Sequence, residues 1–123
     1  MRNDLVSWQW QGYPTFHQRP LTLWLHVLAV PTFVVATLSA VASAATLHFV
    51  GAGIAVGVMA LAFVAQAFAH GREPNPAIPF EGVSDLVTRI FLEQFFTFPR
   101  FVLSGGWARA LRAHSESARS SAR

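Results

Sequence analysis

The chain has no cysteine and no lysine, and from Pro20 to Gly71 it has no Asp, Glu, Lys or Arg. Each absence excludes something. Without cysteine there are no disulfides and no thiolate metal ligands, and the redox compartment cannot be read. Without lysine, all nine basic residues are arginines. The net charge of +3 comes mostly from the C-terminal part, from Arg100, Arg109, Arg112, Arg119 and Arg123. A basic end of this kind raises nucleic acid as a partner. Arginines beside apolar segments are better read as meeting anionic lipid headgroups, so no nucleic-acid partner is expected. The chain also lacks a nucleophile elbow, a phosphate loop and a zincin helix. No lipidation motif or internal repeat is visible, and some twenty polar and aromatic residues precede the first apolar run, which fits a cleaved signal peptide poorly.

What the chain does have is the uncharged stretch itself. Its only ionisable residues are His26, His48 and His70. It is too long for one span, since about 20 apolar residues cross roughly 30 Å of hydrocarbon. It divides where Ser43-Ala44-Ala45-Thr46-Leu47-His48 leads into Gly51-Ala52-Gly53. The expected fold class is therefore all-α: an integral-membrane helical hairpin, with helices over about 20–45 and 49–73. A soluble helical core buried inside an oligomer is the alternative. Arg2 and Arg19 precede the hairpin, Arg72 and Arg89 follow it, and the turn carries no positive charge. By the positive-inside rule both termini should be cytoplasmic, which for a bacterial protein means an inner-membrane location. Small residues on both helices, Gly51, Gly53 and Gly57 among them, predict close packing. One membrane domain is expected over residues 1–112 and a polar, disordered tail over 113–123.

Ahead of the hairpin, Trp8, Trp10 and Tyr13 are types that settle at the membrane–water interface, and a short amphipathic helix ending at Gly12-Tyr13-Pro14 is predicted. Pro20 suits the first helical position, and Pro31 should kink the first long helix. After the hairpin, Pro74, Pro76 and Pro79 make an extended loop. Ser84 or Asp85 then reads as the cap of a third helix over about 85–103. Arg89, Glu93, Thr97 and Arg100 form one polar stripe on that helix. It is expected to lie in the interface as an amphipathic helix or to be membrane-embedded against the hairpin with the stripe inward. Arg89 and Glu93 at i, i+4 read as an ordinary ion pair.

The hairpin topology carries the functional reading. His26 lies in the first turns of the first long helix and His70 ends the second, so both reach one membrane face. His17 sits in the loop before them, and Glu73 continues the Gln66/His70 stripe if the last turn persists. Imidazole and carboxylate ligands suit non-haem Fe(II), Zn or Mn. His17-x8-His26 is no standard ligand pair, and histidines that merely hydrogen-bond, a non-enzymatic membrane adaptor, or haem held by His26 and His70 stand as alternatives.

His17-x2-Pro20-x5-His26-x4-Pro31, followed by Gln66-x3-His70-x2-Glu73-Pro74-Asn75-Pro76-Ala77, resembles a small integral-membrane family of bacteria and fungi. Its fungal member is an Fe(II)-dependent 2-hydroxy fatty acid dioxygenase. The resemblance covers residues 13 to about 103, with Thr22 where the family often has asparagine and Ala29 where it has glycine. It implies that His17, His26 and His70 hold Fe(II) and act catalytically, with Glu73 as a further metal residue. It also implies a fatty-acid substrate cleaved between C1 and C2, its carboxylate received by Arg72, Arg89 or Arg100. A homo-oligomer that buries polar stripes is a further possible partner arrangement.

Overall fold

The computed structural model describes residues 3–122, and among them there is no strand. The order is α1 (Leu5–Phe16), α2 (Pro20–Ala45), α3 (Phe49–His70), α4 (Val83–Leu92), a π turn (Glu93–Thr97), α5 (Phe98–Leu103) and α6 (Gly106–Ser121).

The hairpin is α2 and α3. Both are long and apolar enough to cross a membrane. They meet through small residues, with Ala29, Ala36, Ala55, Ala62 and Ala69 buried. Small side chains let the two backbones approach closely, which is how helices associate where no hydrophobic drive separates them from lipid. The opposite faces stay bare: Leu28 is 69% exposed, Leu61 71% and Val50 81%, with Val35, Val41 and Ile54 alongside. A run of exposed apolar side chains along both helices is the kind of surface that marks a membrane or a partner interface. α2 runs through Pro31 as one helix; the Val27 carbonyl, which the missing Pro31 N–H would have served, loses its intrahelical donor.

The remaining helices gather at one end of the hairpin. Tyr13, Leu23, Val30, Phe98 and Phe101 form one apolar cluster, flanked by Trp10, Trp107 and Leu111. Ala29, Phe33 and Ala62 form a second, against Ile90 and Phe91. α4, the π turn and α5 therefore lie along the hairpin rather than apart from it.

Four expectations are corrected. α1 continues through Pro14 to Phe16, two residues beyond the predicted stop, and that last turn delivers His17. α3 ends at His70 rather than 73: Gly71 caps it and the Arg72 and Glu73 N–H groups fold back onto the Ala69 and His70 carbonyls. The third helix begins at Val83 with Gly82 as its cap, and the Asp85 carboxylate accepts the Glu81 N–H instead. Of residues 113–123, expected to be a disordered tail, those up to Ser121 continue α6, and Arg123 lies outside the described residues. Alanine and arginine are good helix formers, and Trp107 anchors the start by donating its indole N–H to the Leu23 carbonyl at 2.9 Å.

The π turn has a local cause. Pro99 cannot donate to the Phe95 carbonyl, and its ring crowds that carbonyl. The helix absorbs the conflict by widening over Glu93–Thr97, where the Phe98 N–H reaches back to the Glu93 carbonyl. Such widenings cluster at functional sites because they rotate a side chain out of the regular series. Here the first residue of the widening is Glu93.

Candidate metal centre

Four elements deliver one side chain each. His17 closes α1, His26 lies two turns into α2, His70 ends α3, and Glu93 opens the π turn. Their ligand atoms all lie within 4.8 Å of one another. The three imidazole rings stand nearly perpendicular, with centroids 4.7–5.1 Å apart. His26 is fully buried and His17 almost so.

The tautomers follow from the backbone. His17 Nδ1 is 2.8 Å from the Tyr13 carbonyl, and His26 Nδ1 is 2.8 Å from the Thr22 carbonyl. A carbonyl only accepts, so each Nδ1 carries the proton and donates. Each ring therefore turns its Nε2 toward the centre of the cluster. His26 Nε2 faces Glu93 Oε1 at 3.1 Å; His17 Nε2 is 3.9 Å from the same oxygen. Two acceptors at 3.1 Å repel unless a positive species, a proton or a metal cation, lies between them. His17 Nε2 and His70 Nδ1 are buried with no hydrogen-bond partner. Unpaired buried polar atoms are costly and rare, and two of them here point to something missing from the chain itself.

Protonation favours the same conclusion. Burial pushes the His17 imidazole below its ordinary value, with a smaller contribution from His26. Burial also opposes a charge on Glu93, but positive charge at the facing His17 and His26 nitrogens outweighs it and holds the carboxyl well below its usual range, as a cation bound there would. Neutral imidazole and ionised carboxylate are the forms that bind metal. Ring N–H groups held by backbone carbonyls are how metal-binding histidines are commonly oriented. A metal about 2.1 Å from each ligand sits within reach of all four through side-chain movements of about 1 Å. The His17/His26/His70/Glu93 cluster thus fits a divalent metal ion, with three nitrogens and one oxygen.

Glu73, expected among the ligands, is elsewhere. Its Oε1 accepts the Gln18 N–H at 2.8 Å; its Oε2 accepts the Arg19 N–H at 2.9 Å and the Thr22 hydroxyl. The reason is the early end of α3, which turns Glu73 onto the start of α2. α2 has no side-chain cap of its own from Arg19, and Glu73 supplies one from 54 residues away, where a carboxylate also complements the helix dipole. Glu73→Ala is expected to lower stability by about 1–3 kcal/mol, read as a lower thermal unfolding midpoint in detergent, with one metal per chain retained.

The three arginines fare differently. Arg72 lies over the Phe68 ring and Arg100 over the Trp10 ring. Neither borders the cavity beside the metal cluster, so the expectation of a carboxylate receptor there does not match their placement. Arg89 does border it. Its guanidinium donates to the Ile78 and Pro79 carbonyls and to Asp85, between the Trp8 and Phe80 rings. The expected Arg89–Glu93 pair is replaced by Arg89–Asp85, which frees Glu93 for the histidines.

The cavity holds about 380 Å³. Phe16, Phe63, Phe80, Ile78 and Ile90 make it largely apolar, and His17, His70 and Glu93 contribute to its wall while His26 does not. Gln66 and Gln94, also in the wall, pair reciprocally at 3.0 and 2.8 Å, which satisfies the glutamine within α3 by a partner on the π turn. The opening to an apolar space on one side of the ligands leaves room for a metal to bind a further molecule. No protein-family model, curated protein or solved structure matches this chain.

Proposed function

We propose that this protein is a membrane-embedded non-haem iron oxygenase that shortens 2-hydroxy fatty acids by one carbon. The observation that carries the metal part is the convergence of three imidazoles, two buried and one half-buried, with one carboxylate, together with the unpartnered His17 Nε2 and His70 Nδ1. The adjoining apolar cavity between α1, α3 and the proline loop supports a lipid-derived substrate. The resemblance of the histidine motifs supports the 2-hydroxy acid and Fe(II) in particular.

Bound Fe(II) would supply redox and Lewis-acid chemistry toward O₂ and the substrate's oxygens. The chain's own groups do the rest. His17, His26, His70 and Glu93 hold the metal, and the Tyr13 and Thr22 carbonyls fix two of the rings. Phe16, Phe63 and Phe80 take the acyl chain and exclude water, while Arg89 borders the same space. The balanced reaction is a 2-hydroxy acid plus O₂ giving the acid one carbon shorter, CO₂ and water. Haem fits poorly: His17 stands within 5 Å of both His26 and His70, in the space a macrocycle between those two would need.

We place α2 and α3 across the membrane with both termini cytoplasmic, on the strength of Arg19 and Arg72 at one end and no arginine in the turn. Reporter fusions at residue 48 and at the C-terminus should then give opposite signals; matching signals overturn the hairpin. For the reaction, iron-loaded protein in lipid discs is given a 2-hydroxy fatty acid and O₂. The expected product is the acid one carbon shorter. Bound iron with no loss of substrate would leave the metal centre standing and remove this substrate.

A further inference from the structure

Tyr13 does more than pack. Its carbonyl accepts the His17 Nδ1–H, its ring lies on the His17 ring at 3.7 Å and 15°, and its hydroxyl donates to Glu93 Oε1 at 3.4 Å. One residue therefore touches two of the four candidate ligands in three ways. Glu93 Oε1 is also the oxygen that faces His26 Nε2, whereas no hydrogen bond from the described residues reaches Glu93 Oε2. Tyr13 is itself braced: Phe101 meets its ring edge-on at 4.9 Å, and behind Phe101 is Gly106, where a Cβ would come within 2.6 Å of that ring. The chain from Gly106 through Phe101 to Tyr13 fixes the phenol in place.

We infer that Tyr13 is a positioning residue of the metal centre, whose hydroxyl holds the Glu93 carboxylate so that it binds metal through one oxygen. This rests on the metal reading above. The physical reason is the carboxylate torsion. A carboxylate with both oxygens loose can swing to bind through either or both. A hydrogen bond from a braced phenol to Oε1 fixes that torsion, as partners of metal-bound carboxylates commonly do. One-oxygen binding keeps a coordination position open on the cavity side.

The test uses Co(II), whose four-coordinate complexes absorb visible light more strongly than five-coordinate ones. Tyr13→Phe keeps the ring, its stacking and the carbonyl, and removes only the hydroxyl. The expected result is one Co(II) per chain with weaker visible bands, because Glu93 now binds through both oxygens, and affinity lower by about tenfold or more. Tyr13 is the chain's single tyrosine, so fluorotyrosine fed during expression labels this position alone and alters the hydroxyl's acidity without changing its shape. It should keep the parent's band intensity with shifted maxima, and its ¹⁹F resonance should move strongly when Co(II) binds. Tyr13→Phe with the parent's spectrum and affinity overturns the inference while leaving the metal centre intact. A parent chain that binds no Co(II) overturns the metal reading, and this inference with it.

Discussion

His26→Ala is expected to lower metal affinity by at least about a hundredfold, beyond the 10–100-fold typical of losing an orienting partner. His26 is fully buried, and its Nε2 lies closest to Glu93 of all the cluster's nitrogens. Removing it takes away one ligand of four and leaves an apolar hole where the metal would need a donor. His17→Ala and His70→Ala should act in the same direction. His48 and His114 are exposed and outside the cluster, so their alanine variants should bind metal as the parent does. Metal content after size exclusion in detergent checks all five. Equal retention in His26→Ala and His48→Ala would remove His26 from the site.

The second large effect separates two glutamates that look alike in the sequence. Glu93→Gln should abolish stoichiometric metal, because the amide brings no charge to balance a divalent cation among neutral ligands in a largely buried site. Glu73→Gln should keep it, because Glu73 binds backbone N–H groups and a hydroxyl rather than the cluster. The metal-free Glu93→Leu chain should unfold at a lower temperature than the metal-free parent, since the buried Tyr13 hydroxyl and His26 Nε2 lose their partner. Added metal should raise the unfolding temperature of the parent and of Glu73→Gln but not of Glu93→Leu, by mass action on the folded state. The reverse pattern, with metal lost in Glu73→Gln and kept in Glu93→Gln, would restore the ligand set expected from the sequence.

Why the sequence points to Glu73 rather than Glu93 is a matter of which forces act locally. The charge-free run from Pro20 to Gly71 and its break before Gly51 mark α2 and the start of α3, because a run of that length is long enough for two membrane-length apolar helices. Hairpin geometry then brings His26 and His70 to one end. The ligand role given to Glu73 depended on α3 continuing past His70. Helix ends are set by capping competition within one or two residues, and Gly71 ended it first. Glu93 was visible as part of a polar stripe, and the inward option for that stripe was open. Its pairing was not: Arg89 at i−4 was the nearest partner in sequence, but it is drawn to Asp85 and the Ile78 and Pro79 carbonyls. The one signal that pointed to Glu93 was Pro99, six residues on, whose missing N–H sets up the π turn that re-aims the carboxylate. The helical tail was missed because a Ser/Arg/Ala composition fits disorder and helix alike, and the contact that anchors the helix, Trp107 on the Leu23 carbonyl, spans 84 residues.

The central claim is that the chain holds one non-haem metal among His17, His26, His70 and Glu93. The most direct measurement is metal content of protein purified anaerobically from iron-replete cells, with its absorption spectrum recorded on the same sample. The expected result is one iron per chain, no haem band, and loss of the iron in both His26→Ala and Glu93→Gln. Purified parent protein without stoichiometric metal, or iron that persists in both variants, would contradict it.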